Sequence, residues 1–199
     1  MLIKAKKHEF NISKKEIKDL TKAWIILSLA FAIVFQGLSF TYEFFLAFLV
    51  AAITVGTAFI FHELGHKLIA QKYGCFAEFR SFDNMLFLAL LMSFFGFIFA
   101  APGAVMISGP VGVKRNGKIS AMGPGINLSL AVIFLIFHFL SPNVITFYGF
   151  LVNSWLGLFN LIPFAMFDGK KILRWNKFVY GMMVGIALIL MMLQSVVRI

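Results

Sequence analysis

The sequence predicts an all-α polytopic membrane protein with about five transmembrane helices, a re-entrant apolar segment and a small β-hairpin on the cytoplasmic side. Three observations predict it. Of 199 residues, 61% are hydrophobic and only 13% are charged, against roughly 25% charged in soluble domains. The charges stand in short runs between uncharged stretches of membrane-spanning length. The basic residues, 18 Lys and Arg against 8 acidic residues, are distributed as a positive-inside bias requires. That composition excludes a soluble globular enzyme and a disordered tail, and the single Cys75, with no partner within the chain, excludes a disulfide scaffold. The net charge of +10 is a topology signal, and no nucleic-acid partner is expected.

The first 22 residues form a basic, cytoplasmic N-terminal segment with seven Lys (Lys4, Lys6, Lys7, Lys14, Lys15, Lys18, Lys22). Those Lys, and the lack of a small-residue cleavage site after the first apolar run, argue against a secretory signal. Ser13 and Glu16 have capping-box spacing, so a short amphipathic helix over 14–21 leads into the first span. Uncharged stretches follow at 23–42, 44–62, 84–113, 119–167 and 178–195. The fourth holds two helices, 121–140 and 144–161, divided by the turn Ser141-Pro142-Asn143.

The 84–113 stretch is different. Its apolar part, 85–101, contains Gly96 and ends at Pro102-Gly103, residues that break a helix before it spans. If this segment returns to the side it left, 17 of the 18 basic residues are cytoplasmic and only Arg198 is outside. A re-entrant segment is therefore predicted, with the N-terminus inside and the C-terminus outside. Beyond it, 104–108 and 111–115 are β-compatible runs, and Asn116-Gly117 is a strong hairpin signal followed by 118–121. A cytoplasmic-side hairpin is predicted there. No internal repeat is present, and the chain reads as one membrane-embedded domain, 1–199.

The chemistry concentrates in Phe61-His62-Glu63-Leu64-Gly65-His66. Positions i and i+4 of a helix face the same way, so His62 and His66 can place ring nitrogens about 2.0–2.1 Å from one Zn²⁺. Glu63 lies one position round, where it can reach a water on the metal without being a ligand, as a general base must. A further protein ligand is needed on the same side of the membrane. His138 and Glu43 fall on the far side, whereas Asp168 emerges beside His62 and His66. Pro163 and Gly169 loosen the chain around Asp168 so that its carboxylate can turn inward. The predicted set is His62, His66, Asp168 and a water, with one zinc ion per chain.

With these residues in view, the sequence resembles the site-2 protease family of intramembrane zinc metalloproteases. The resemblance rests on His-Glu-Leu-Gly-His at 62–66, on Gly123-Pro124 with Asn127, and on Asn160-x-x-Pro163 followed by Asp168-Gly169. It covers a core of 44–173. It implies zinc held by His62, His66 and Asp168, activation of water by Glu63, and a role for Asn160 in binding substrate or steadying the tetrahedral intermediate. It also implies that a sheet edge near the site receives an unwound substrate segment, for which the strand at 104–108 is the candidate. Relative to the simplest members, the apolar insertion at 85–101 replaces a short loop, and no PDZ domain is attached; the insertion is read as a gate or substrate guide. Partners are then the transmembrane segments of other membrane proteins and the lipid bilayer, with the active site towards the cytoplasm.

Blander readings stand beside these. His62, Glu63 and His66 can form a polar packing cluster, Asp168 can be a helix-end residue beside Lys170 and Lys171, and Asn160 can bond another helix. Gly123, Pro124 and Asn127 read as packing and turn elements. His8, His138 and Cys75 read as structural or surface residues. A catalytically silent helix-binding scaffold is the main rival function, and a metal transporter a third. Glu63 argues against the scaffold, and the absence of a polar relay across the bilayer argues against transport.

Overall fold

In the computed structural model, which describes residues 10–98 and 101–197, the first helix begins where the capping signal placed it. Ser13 Oγ accepts the Glu16 N–H at 3.1 Å and opens α1 (Lys14–Gln36), so the amphipathic lead-in and the first apolar run are one continuous helix. Glu16 does not close the capping box. Its carboxylate is buried and taken by Lys67 and by the backbone of Phe79.

Thr41 caps α2 (Tyr42–Ala51), which passes through a π-helical turn at Ala52–Gly56 into α3 (Thr57–Lys72). The whole run, Tyr42–Lys72, is 31 residues long. At the π turn the Trp24 indole of α1 donates to the Ala52 carbonyl at 2.9 Å. A π turn adds a residue to the helix and so rotates the turns beyond it. Here those turns belong to α3, which carries His62 and His66.

A two-stranded antiparallel sheet comes next; the strand predicted at 104–108 is present, but its partner is not the predicted one. β1 (Phe76–Ser81) pairs with β2 (Gly103–Ser108) in the register Phe76↔Ser108 to Ser81↔Gly103. Residues 113–121 instead open a helix, α5 (Val113–Leu140), that runs through Asn116 and Gly117. Neither residue has the positive φ a hairpin turn would need. The ladder of β2 is satisfied by a more distant strand whose Ala77 and Phe79 are buried in alternation.

Between the strands, α4 (Asp83–Ser93) leaves the sheet and the chain turns at Gly96, φ 82°. It returns to where it left, since the Phe82 N–H donates to the Pro102 carbonyl at 3.0 Å. The two ends of the segment predicted as re-entrant are thus adjacent. Its residues 99 and 100 lie outside the described residues, as do His8, Lys4, Lys6, Lys7 and Arg198.

The remaining helices are α6 (Val144–Asn160), α7 (Asp168–Trp175) and α8 (Lys177–Leu193). Asn143 and Thr146 form a reciprocal capping box at the start of α6, where the sequence placed its turn. One core is formed by Leu128, Ala131 and Leu135 of α5 with Phe150, Ile172 and Ala187. A second joins Leu20 and Leu27 of α1 to Phe59 and Phe79.

Among the described residues, two helices are long and apolar enough to cross a membrane, Tyr42–Lys72 and Val113–Leu140. The sequence counts five spans. The helices at 144–160 and 177–193 are apolar but have 17 residues each, about 26 Å at 1.5 Å per residue against a hydrocarbon core of about 30 Å. α1 begins with a charged turn and a half. Phe87, Phe95 and Phe139 are among many large apolar side chains left exposed.

Candidate metal centre

The helical period places His62 and His66 one above the other on the face of α3 that packs on α5. Their Nε2 atoms are 3.0 Å apart. Asp168, the first residue of α7, sets Oδ2 3.4 Å from His62 Nε2 and 3.0 Å from His66 Nε2. All three side chains are buried.

The outer ring nitrogens fix what the inner ones present. His66 Nδ1 donates to the Ile119 carbonyl at 2.9 Å, and His62 Nδ1 donates to Asn127 Oδ1 at 2.6 Å. The Asn127 amide is oriented by its other end: Nδ2 donates to the Ala58 carbonyl at 3.2 Å and to Asn153 Oδ1 at 3.0 Å. With both Nδ1 atoms protonated, the two Nε2 atoms turn lone pairs towards each other and towards a carboxylate oxygen. Three acceptors converging in this way repel one another unless a cation stands between them. Ligand atoms about 2.05 Å from a tetrahedral zinc are about 3.3 Å apart, so two imidazoles and one carboxylate at these separations fit Zn²⁺.

Two sequence features make the approach possible. A Cβ at position 123 would lie 2.4 Å from His66 Nε2 and 2.6 Å from His62 Nε2, so only a glycine lets α5 come this close. A Cβ at position 169 would lie 2.1 Å from the Leu161 carbonyl oxygen, so Gly169 lets α7 start against the end of α6 with Asp168 turned inward. Pro124, buried in α5, removes the N–H that would bond the Ser120 carbonyl. The neighbouring Ile119 carbonyl is the one that holds His66.

A protein of Methanocaldococcus jannaschii named "Putative zinc metalloprotease MJ0611" is 40% identical over 187 residues, which are 90% of this chain and 94% of that protein. The chain belongs to this zinc metalloprotease family. A second protein of the same organism, "Zinc metalloprotease MJ0392", is 28% identical over 120 residues, which are 58% of this chain and 30% of that longer protein. No family model matches the chain, and no solved structure matches it significantly.

Glu63 is buried beside the three ligand-type residues, and its Oε2 accepts the Val105 N–H of β2 at 3.0 Å. Lys171 Nζ lies 3.5 Å from Asp168 Oδ1, the oxygen turned away from the imidazoles. The structure therefore brings His62, His66, Asp168, Glu63, Gly123 and Asn127 together. Asn160 is different: its Nδ2 donates to the Leu156 carbonyl at 2.9 Å, within its own helix. Pro163 is exposed in the connection from α6 to α7.

Asn153 and the pair Glu16–Lys67 escape a reading of the sequence. Asn153 is fully buried, and the signal it leaves is an amide in the middle of a mostly apolar helix. Lys67 counts as one more basic residue in a charge tally, yet it is 1% exposed and paired with Glu16. His138, buried with Nδ1 3.0 Å from Thr146 Oγ1, holds α5 against α6, and Cys75 is buried. His138 lies 15 residues beyond Gly123 on α5, about 22 Å along the helix axis.

Proposed function

We propose that the chain is an intramembrane peptidase of the site-2 protease type, hydrolysing peptide bonds in the transmembrane segments of membrane-protein substrates. The observation that carries this reading is the buried His62–His66–Asp168 set, two members of which stand on a helix long and apolar enough to cross a membrane. Hydrolytic chemistry at that place is suited to a peptide bond presented from the bilayer. In this reading the helices form five spans, with the N-terminus cytoplasmic, the C-terminus outside and the site towards the cytoplasm. The adjacent ends of the β1–α4–β2 excursion support keeping its flanking Lys and Arg on one side.

His62, His66 and Asp168 hold the zinc, which when bound supplies a Lewis acid for the scissile carbonyl and lowers the pKa of a water to about 7. Asn127 and the Ile119 carbonyl keep both imidazoles in the tautomer that coordinates. Glu63, one residue from His62, takes the proton from the attacking water and delivers it to the departing amine. The backbone of the substrate must unwind before attack, and pairing as a strand beside β2 replaces its lost hydrogen bonds. Asn160 keeps one amide hydrogen and its Oδ1 for the substrate, since only one hydrogen is taken by Leu156.

The test compares the purified, zinc-loaded protein with its Glu63→Gln variant on a fluorogenic peptide containing a transmembrane segment. Cleavage is expected to fall by about 10²–10⁴-fold while zinc content stays near one per chain. Equal product from both proteins, or none from the wild type against a panel of such segments, would sink the reading in favour of a helix-binding scaffold.

A further inference from the structure

The sheet is bracketed by two buried glutamates, and they hold it differently. Phe79 and Val105 are register partners, yet neither N–H enters the ladder: Phe79 donates to Glu16 Oε1 at 2.9 Å, and Val105 to Glu63 Oε2 at 3.0 Å. They are thus a non-hydrogen-bonded pair whose backbone groups point to the two outer edges. On the β1 edge the arrangement is closed, because the other Glu16 oxygen receives the buried Lys67 ammonium. On the β2 edge, no further strand follows β2 among the described residues, and Met106 and Ser108 are exposed. Among the described residues, Glu63, the acceptor there, has no lysine paired with it.

We propose that the Val105 N–H is a substrate-binding group which Glu63 occupies at rest, so that docking of a substrate strand releases the general base. The inference rests on the protease reading and deepens it. An antiparallel partner on β2 would address the outward groups of Gly103, Val105 and Ile107, the alternate residues of the strand. Its carbonyl would come within about 2.9 Å of the Val105 nitrogen, at the point Glu63 Oε2 now takes. One N–H serves one strong acceptor, so pairing and the Glu63 contact exclude each other. A bond to a carboxylate is stronger than one to a neutral carbonyl, and short peptides that form few backbone bonds do not displace it. The substrate residue that captures Val105 is also placed beside Glu63, and through it beside His62, which sets the register of cleavage.

The test measures binding to inactive, zinc-loaded full-length variants in detergent. The probe is a fluorescein-labelled, end-capped eight-residue peptide rich in Val and Thr. Glu63→Gln keeps an oxygen where the carboxylate stands, whereas Glu63→Ala leaves the Val105 N–H free. Glu63→Ala is expected to bind the peptide about tenfold more tightly than Glu63→Gln. Val105→Pro, which removes an N–H that makes no ladder bond, is expected to weaken binding and to abolish that difference. Equal affinities for the two Glu63 variants would overturn the latch while leaving strand docking in place. Saturable binding to none of them, with a wild type that cleaves a transmembrane substrate, would overturn both docking on β2 and the latch but not the protease reading. Zinc content near one per chain verifies each variant's fold, and the Glu63 pair decides the matter without the proline.

Discussion

Gly123 touches His66 so closely that a Cβ in its place would stand 2.4 Å from Nε2. Gly123→Ala favours the helix by intrinsic propensity, so it isolates the steric effect. Zinc affinity is expected to fall by about 10–100-fold, the size of loss that disturbing a ligand's support produces. Circular dichroism should be unchanged. Competition with a chromophoric chelator reads the affinity, and an unchanged value would show that the imidazoles do not depend on this approach.

Asn127 carries the orientation of His62. Asn127→Ala is expected to reduce zinc affinity about 10–100-fold. Asn153→Ala, which reaches the metal centre through the Asn127 amide, should cost less than tenfold. The double variant should be no worse than Asn127→Ala alone, a non-additivity that marks one chain of hydrogen bonds. Additive losses in the same chelator titration would contradict the relay.

Lys67→Met leaves the Glu16 carboxylate buried without its cation. Breaking such a pair costs about 3–5 kcal/mol, to be seen as a lowered unfolding temperature in detergent. Glu16→Gln added to Lys67→Met removes the stranded charge and keeps an oxygen for the Phe79 N–H. The double variant should recover most of the loss. A single variant as stable as the wild type would show that the pair does not tie α1 to α3.

Gly169→Ala forces a Cβ to 2.1 Å from the Leu161 carbonyl oxygen, and α7 must shift with Asp168 on its first residue. Elemental analysis is expected to find zinc lost about as fully as in Asp168→Ala. Lys171→Ala, which removes a half-exposed cation near the outer carboxylate oxygen, should retain it. Full zinc in Gly169→Ala would mean that Asp168 reaches the imidazoles without this packing.

The features legible in the sequence are those encoded within a few residues. The spacing of His62, Glu63 and His66 is a helical period, Ser13 announces a helix start, and Ser141-Pro142-Asn143 announces a break. Asp168 could be matched to the histidines because basic runs order the sides of a membrane. The partner of β2 was not legible in this way. Asn116-Gly117 is a local hairpin signal, and it lost to pairing with β1, across an apolar excursion, and to the helix that α7 and α8 pack against.

By itself, then, the sequence determined the apolar, mostly helical class, the zinc-type ligands and the acid beside them, because residue type and short-range spacing settle those. Only the tertiary structure decided that Asn127 and Asn153 steer His62, that Glu16 and Lys67 are buried together, and that Glu63 rests on Val105. Each depends on residues between 26 and 65 positions apart. The physical reason is that a buried polar group must find a partner wherever packing supplies one, and packing is a property of the whole chain.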